Sequence, residues 1–188
     1  TRETADLFLV LIMRLLKPGG RCGIVLPDGT LFGEGVKTRI KTELLETCNV
    51  HTIVRLPNGV FNPYTGIRTN LIFFEKGRPT EGIWYYEHPY PAGYKSYSKT
   101  KPMRIQEFDT GKAWWTNRTE TEHAWYVPIA EIRDRAWNLD IKNPNAPEAQ
   151  QHDPEELYQE YHAAVAETER IATQLRDTLA AYLSGAAE

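Results

Sequence analysis

The sequence predicts an α/β protein, half of a doubly wound sheet followed by a long C-terminal helix. Three observations carry this expectation. Helical and short apolar segments alternate through the first half of the chain, the signature of helices packed on a largely parallel sheet. Three runs, "RCGIVLP", "VHTIVRLP" and "TNLIFFEK", are apolar and bounded by turn residues, as buried strands are. A polar, proline-containing stretch near the end leads into a segment with a helix-capping signature and a four-three apolar repeat.

Each element follows from its local residues. Thr4 to Leu16 reads as a helix, stopped by Lys17-Pro18-Gly19-Gly20. Its "ADLFLVLIMRLL" is apolar nearly all round and calls for cover on several sides. A chain that opens on such a helix, and without Met, is expected to be the C-terminal piece of a longer protein. Arg21 to Pro27 is the first strand, and "DGTLFGEG" is a loop. Val36 to Glu46 places Val36, Ile40, Leu44 and Leu45 on one face of a second helix. Val50 to Pro57 and Thr69 to Lys76 are strands with no helix between them; a parallel pair needs a crossover, so these two are predicted antiparallel.

From Gly82 to Asp140 the character changes. Trp84, Trp114, Trp115, Trp125 and Trp137 all fall here. "IWYYE", after the turn "GRPTEG", is expected to pair back on Thr69 to Lys76, and the remainder is short and proline-punctuated. "KNPNAPEAQQ" is a linker. Asp153 as N-cap, Pro154 at the first helical position, and Glu155 and Glu156 in the first turn then start a helix running to about Leu183, with Gly185 as its stop. At 1.5 Å per residue it is roughly 45 Å long. Leu157, Tyr161, Ala164, Thr168, Ile171, Leu175, Thr178 and Tyr182 form its seam. Its length and isolating linker favour packing against another chain over folding back on its own domain. The division expected is 1–80, 81–142, a linker at 143–152, and 153–188.

Composition narrows the functional classes. The 188 residues are 41% hydrophobic and 25% charged, with a formal net charge of −3. That leaves no global basic field, so nucleic-acid contact must use a local patch. Cys22 and Cys48 make neither a disulfide framework nor a metal-ligand spacing, which suits a reducing cytosol. No apolar run reaches bilayer-spanning length, and no signal peptide is visible. The sequence shows no glycine-rich phosphate loop with Lys-Ser/Thr, no nucleophile elbow and no paired-cysteine metal site; its histidines are scattered. Asp28 sits at the end of the first strand, where α/β sheets bind ligands, but "PDGT" is sufficient as turn chemistry.

Taken in order, these residues resemble a family. "LLKPGGRCGIVLPDGTLF" is similar to the helix, turn and fifth strand of S-adenosylmethionine-dependent methyltransferases. "VHTIVRLPNGVFNPYTGIRTNLIFFEKG", then "HAWYVPIAEIRDRAWNLDIKNPN", resembles the modification subunit of a type I restriction-modification system, across essentially the whole chain. The resemblance implies strands five, six and seven of a Rossmann-like sheet, the seventh antiparallel. It implies adenine-N6 DNA methylation with S-adenosylmethionine and no metal, in a prokaryotic cytoplasm, with DNA, a specificity subunit and a restriction subunit as partners. The cofactor motif and the Asn-Pro-Pro-Phe catalytic motif of such proteins are absent, so the fragment alone is expected to be inactive. Asn62-Pro63-Tyr64 lacks the second proline and leads into a strand, and is rejected as that motif.

The loop before the third strand carries Phe61 and Tyr64 among Asn, Pro and Gly. By resemblance, Phe61 in "GVF" matches the aromatic that stacks on an extruded target base, with Tyr64 as a second wall and Arg68 near a phosphate. The bland alternative makes Phe61 an apolar plug tethering the loop. Lys95, Lys99 and Lys101, interleaved with Tyr90, Tyr94 and Tyr97, read either as weak DNA contacts or as the wet face of a small aromatic core. Two other readings stand beside this one: a non-catalytic module docking through the terminal helix, and an RNA or protein methyltransferase of the same fold.

Overall fold

The computed structural model describes residues 3–146 and 154–183. The chain divides into two compact units, Thr1–Ala146 and Pro147–Glu188. In the first, α1 (Thr4–Leu15) leads into β1 (Arg21–Pro27), α2 (Asp28–Phe32), α3 (Val36–Thr47), β2 (Cys48–Arg55) and β3 (Thr69–Lys76). β4 (Gly82–Glu87), a 3₁₀ turn (Ile105–Phe108), α4 (Asp109–Thr116), β5 (Ala124–Pro128) and α5 (Ile129–Asp134) follow.

The sheet order is β1-β3-β2-β4-β5. β3 lies between β1 and β2 and runs against both, pairing from Arg21↔Glu75 to Pro27↔Thr69 with β1 and from Cys48↔Lys76 to Arg55↔Asn70 with β2, where the register shifts between Val50 and Thr52. The antiparallel third strand expected from the missing helix is therefore present. β4 corrects the sequence reading: it does not pair with β3 but runs parallel to β2, Thr52 opposite Trp84. The reason is that β3 has no free edge. Thr80 also directs the chain, its backbone N–H donating to Leu45 O (2.8 Å) and its Oγ1 to Cys48 O (2.8 Å), while Val50 N–H donates to Oγ1 (2.8 Å). These bonds hold the turn against the start of β2, and β4 leaves alongside it. The aromatic region thus extends the sheet, with β5 antiparallel to β4.

One sheet face is covered by α1 and α3, where Leu9, Met13, Leu44 and Leu45 pack on Leu26, Val50, Ile53, Ile72 and Phe74. Among the described residues only one side of α1 is covered; Leu7, Phe8, Leu11 and Leu15 are exposed. The other sheet face carries a second cluster of Val54, Leu56, Tyr86, Trp114 and Ala124, with Phe73, Phe108 and Trp115 against it. "DGTLF", read as loop, is the short helix α2. Leu31 fills the core beneath it, and the buried Lys41 ammonium donates to Leu31 O (2.7 Å) and Gly33 O (2.9 Å), closing that turn.

The second unit contains α6 (Pro154–Leu183), whose Tyr158, Tyr161, Val165, Ile171, Leu175, Leu179 and Tyr182 are exposed. An i,i+3 pair, Glu167–Arg170, staples its polar face. Asp153, Gly185, most of the linker, and the side chains of Pro154, Glu156 and Leu157 lie outside the described residues. No described helix is long and apolar enough to cross a membrane.

Candidate functional site

The carboxyl ends of β1 and β2 meet the start of β3, and the loop 56–68 arches over that junction. Its neck is closed by Leu56 N–H donating to Thr69 O (3.1 Å) and Asp28 N–H donating to Arg68 O (3.0 Å). Inside it, Asn62 N–H bonds to Gly59 O (3.0 Å) and Tyr64 N–H to Phe61 O (2.9 Å). Gly59 has φ +78°, a left-handed conformation that costs an L side chain energy. The Asn62 side-chain amide donates to Tyr97 O (3.1 Å), and the Tyr90 hydroxyl donates to Asn58 O (2.9 Å). The loop is therefore docked on the segment 90–97.

The apolar residues of this loop divide between core and solvent. Leu56 is buried and Val60 packs on the second cluster, while Phe61, 39% exposed, is not among the side chains packed on either cluster. Tyr64 is 90% exposed. Arg68 is exposed, its Nε donating to Asn58 Oδ1 at 2.7 Å across the loop's neck. Tyr90 and Tyr94 lie 5.5 and 5.9 Å from the ring of Tyr97, which is buried. Burial, then the bond its hydroxyl donates to Glu107, push the Tyr97 phenol well above its ordinary pKa. Lys95, Lys99 and Lys101 are exposed around this small core, Lys101 lying 5.5 Å from the Tyr94 ring centre. The second alternative describes this segment: the rings form a small core and the lysines are exposed around it. The structure brings the Phe61 loop and the 90–101 segment together through the Asn62 and Tyr90 bonds.

Beneath the loop lies a polar network that sequence reasoning missed. Asn70 Nδ2 donates to Asp28 Oδ1 at 2.6 Å. Arg55 reaches Asp140 Oδ1 at 2.6 Å and Asp28 Oδ1 at 4.0 Å, and donates to Ile141 O at 3.0 Å. Asn70 is buried and its Oδ1 has no partner. The available signals were Asp28 at the end of β1, read as turn chemistry, and Asn70, a lone amide inside an apolar strand; the residues of the network lie far apart along the chain. Among the described residues no group of three or more His, Cys, Asp or Glu could hold a metal ion. This end of the sheet offers a half-exposed ring with exposed cationic side chains nearby.

The strand order, an antiparallel strand inserted between two parallel ones with helices against one face, and the aromatic loop leading into it define a Rossmann-like methyltransferase sheet. Comparison with known proteins sharpens the class. The family model for N-6 DNA Methylase matches residues 1–153, and the chain belongs to that family. It is 58% identical over 192 residues to the type I restriction enzyme EcoEI methylase subunit of Escherichia coli, covering 98% of this chain and 39% of that subunit. The EcoKI methylase subunit of E. coli K12 is 33% identical over 147 residues, 70% of this chain and 27% of the relative. Among solved structures, a modification subunit of a putative type I restriction enzyme from Vibrio vulnificus YJ016 superimposes with TM-score 0.74 at 51% identity. That match covers 81% of this chain and 34% of the other. A chain from a type I restriction-modification complex gives TM-score 0.75 at 37% identity, over 98% of this chain and 40% of the other. This chain thus spans about two-fifths or less of the relatives it matches.

Proposed function

We propose that this chain is part of a type I DNA adenine-N6 methyltransferase subunit in which the Phe61 loop receives the flipped target adenine. The observation that carries the reading is the division of labour between Val60 and Phe61. Val60 packs on the core, and the Phe61 ring beside it keeps 39% of its surface exposed for another partner. A base turned out of the duplex loses its stacking, and an aromatic ring restores roughly 1–3 kcal/mol of it. Tyr64 would line the same pocket, and Arg68, Lys95, Lys99 and Lys101 would approach DNA phosphates. The bonds from Asn62 and Tyr90 hold the loop in place before DNA arrives, which lowers the ordering cost of binding.

S-adenosylmethionine would be the methyl donor. Asp28 at the carboxyl end of β1 accepts from Asn70 of β3 at 2.6 Å with Arg55 4.0 Å away, rather than being presented as a donor set, so the pair does not fit a cofactor cradle, and no step of the transfer is assigned to it. The principal cofactor contacts would come from outside these 188 residues. Residues 1–80 would belong to the catalytic domain, 81–142 would be its aromatic extension, and α6, reached through the 143–152 linker, would dock on the specificity subunit through its exposed stripe. A restriction subunit would join the same complex, which would work in the bacterial cytoplasm. The exposed α6 also favours a second reading, a module whose work is docking alone.

The test follows labelled methyl transfer to duplex DNA by the full-length protein with its specificity partner, wild type against Phe61→Ala. The expected result is a rate loss of about 5- to 150-fold, the kinetic equivalent of 1–3 kcal/mol, with cofactor binding retained. An unchanged rate removes Phe61 from the base pocket. A wild-type complex that assembles but transfers nothing leaves the docking reading in its place.

A further inference from the structure

The opposite end of the sheet holds a second concavity with a different character. A cleft of about 540 Å³ opens at the start of β1 and β2 and the end of β3, and three arginines line it: Arg21, Arg78 and Arg118. Glu75 is the one carboxylate on its wall, so three cations against one anion leave two net positive charges there, in a chain whose net charge is −3. No ion pair among the described residues engages any of the three guanidinium groups.

Arg118 is built into the wall. Its guanidinium lies 4.6 Å from the Trp115 ring centre, donates to His51 O at 3.4 Å and lies 3.3 Å from His51 Nδ1. His51 Nδ1 also lies 2.9 Å from Thr52 Oγ1, which holds the imidazole in place beside the guanidinium. Burial and the Arg118 charge hold His51 neutral, its pKa pulled down to about 4. The Trp115 ring is itself fixed edge-on to Phe73 at 4.8 Å.

We propose that this cleft binds a polyphosphate-bearing small molecule. The volume falls within the range of about 300–1,000 Å³ that small ligands occupy. Guanidinium forks match phosphate oxyanions bidentately, and several unpaired ones converging favour a ligand with more than one negative charge. The site lies at the far end of β3 from the Phe61 loop, about 20 Å at 3.3 Å per residue. It therefore does not depend on the methyl-transfer reading.

Calorimetric titration of the full-length protein with sodium tripolyphosphate, and separately with ATP, tests the proposal. Saturable binding that weakens as salt is raised is expected, with Arg118→Met and Arg78→Met each weakening it by about tenfold, the scale of one charge-assisted bond. Arg78 is exposed, so its variant keeps the test valid if Arg118→Met fails to fold. Phe61→Ala should bind as wild type does. Binding of both ligands assigns the phosphates; a tighter ATP arm adds the nucleoside. No binding by the wild type at millimolar ligand overturns the proposal, as does binding that both arginine variants retain. Binding of an acidic peptide in place of either ligand also overturns it and makes the cleft a protein interface.

Discussion

Replacing Arg55 with Met separates its charge from its aliphatic stem. The stem survives, but Asp140 loses a partner at 2.6 Å, Asp28 loses one at 4.0 Å, and Ile141 O loses a donor at 3.0 Å. The Arg55 side chain is 13% exposed and that of Asp140 34%. Breaking a fully buried pair costs about 3–5 kcal/mol, and an orphaned carbonyl about 1 kcal/mol more. Water reaching Asp140 offsets part of this, so about 3 kcal/mol in total is expected. Asp140→Asn alone should cost about 1 kcal/mol, and the double variant should be less destabilised than the sum by about 1–2 kcal/mol. Denaturant unfolding of the full-length protein, followed by tryptophan fluorescence, reads these values as midpoint shifts at constant m. An Arg55→Met variant within about 0.5 kcal/mol of wild type, the ordinary surface-substitution range, would refute the network's structural role. Strict additivity would show that Arg55 and Asp140 are neighbours without coupling.

Thr80→Val removes a hydroxyl that both donates and accepts beneath β2; a loss of about 2–4 kcal/mol is expected, and Thr80→Ser should recover most of it in the same unfolding assay. Gly59→Ala places a Cβ 2.7 Å from Asn62 Nδ2 at φ +78°; a cost of about 1–2 kcal/mol should appear together with faster proteolysis of the 56–68 loop. His51 is held near pKa 4 against its ordinary 6.5, so between those values the unfolded chain binds a proton that the native chain does not. Stability is complete above pH 6.5 and falls towards pH 4, by at most on the order of 3 kcal/mol. Thermal unfolding against pH should lose that component in His51→Gln.

Local residue patterns already defined the helix-strand alternation, because apolar periodicity reports directly on which face an element buries. The antiparallel β3 followed from a missing crossover, and α6 from its repeat and its proline-punctuated approach. The conspicuous rings of the 56–68 loop were equally legible. The short α2 was not, since "DGTLF" is good turn chemistry and becomes helical only with Leu31 in the core and Lys41 closing the turn.

By itself, then, the sequence determined the elements, the antiparallel sense of β3 and the family resemblance, all of which depend on residues close together in the chain. Tertiary structure alone decided that β4 runs beside β2, that Val60 packs on the second cluster while Phe61 stays 39% exposed, and that Arg55 meets Asp140. It also brought Arg21, Arg78 and Arg118 to one cleft. These depend on edge availability and on pairings between residues distant in the chain. Periodicity encodes which way a side chain faces, and it carries no information about which distant group will stand opposite.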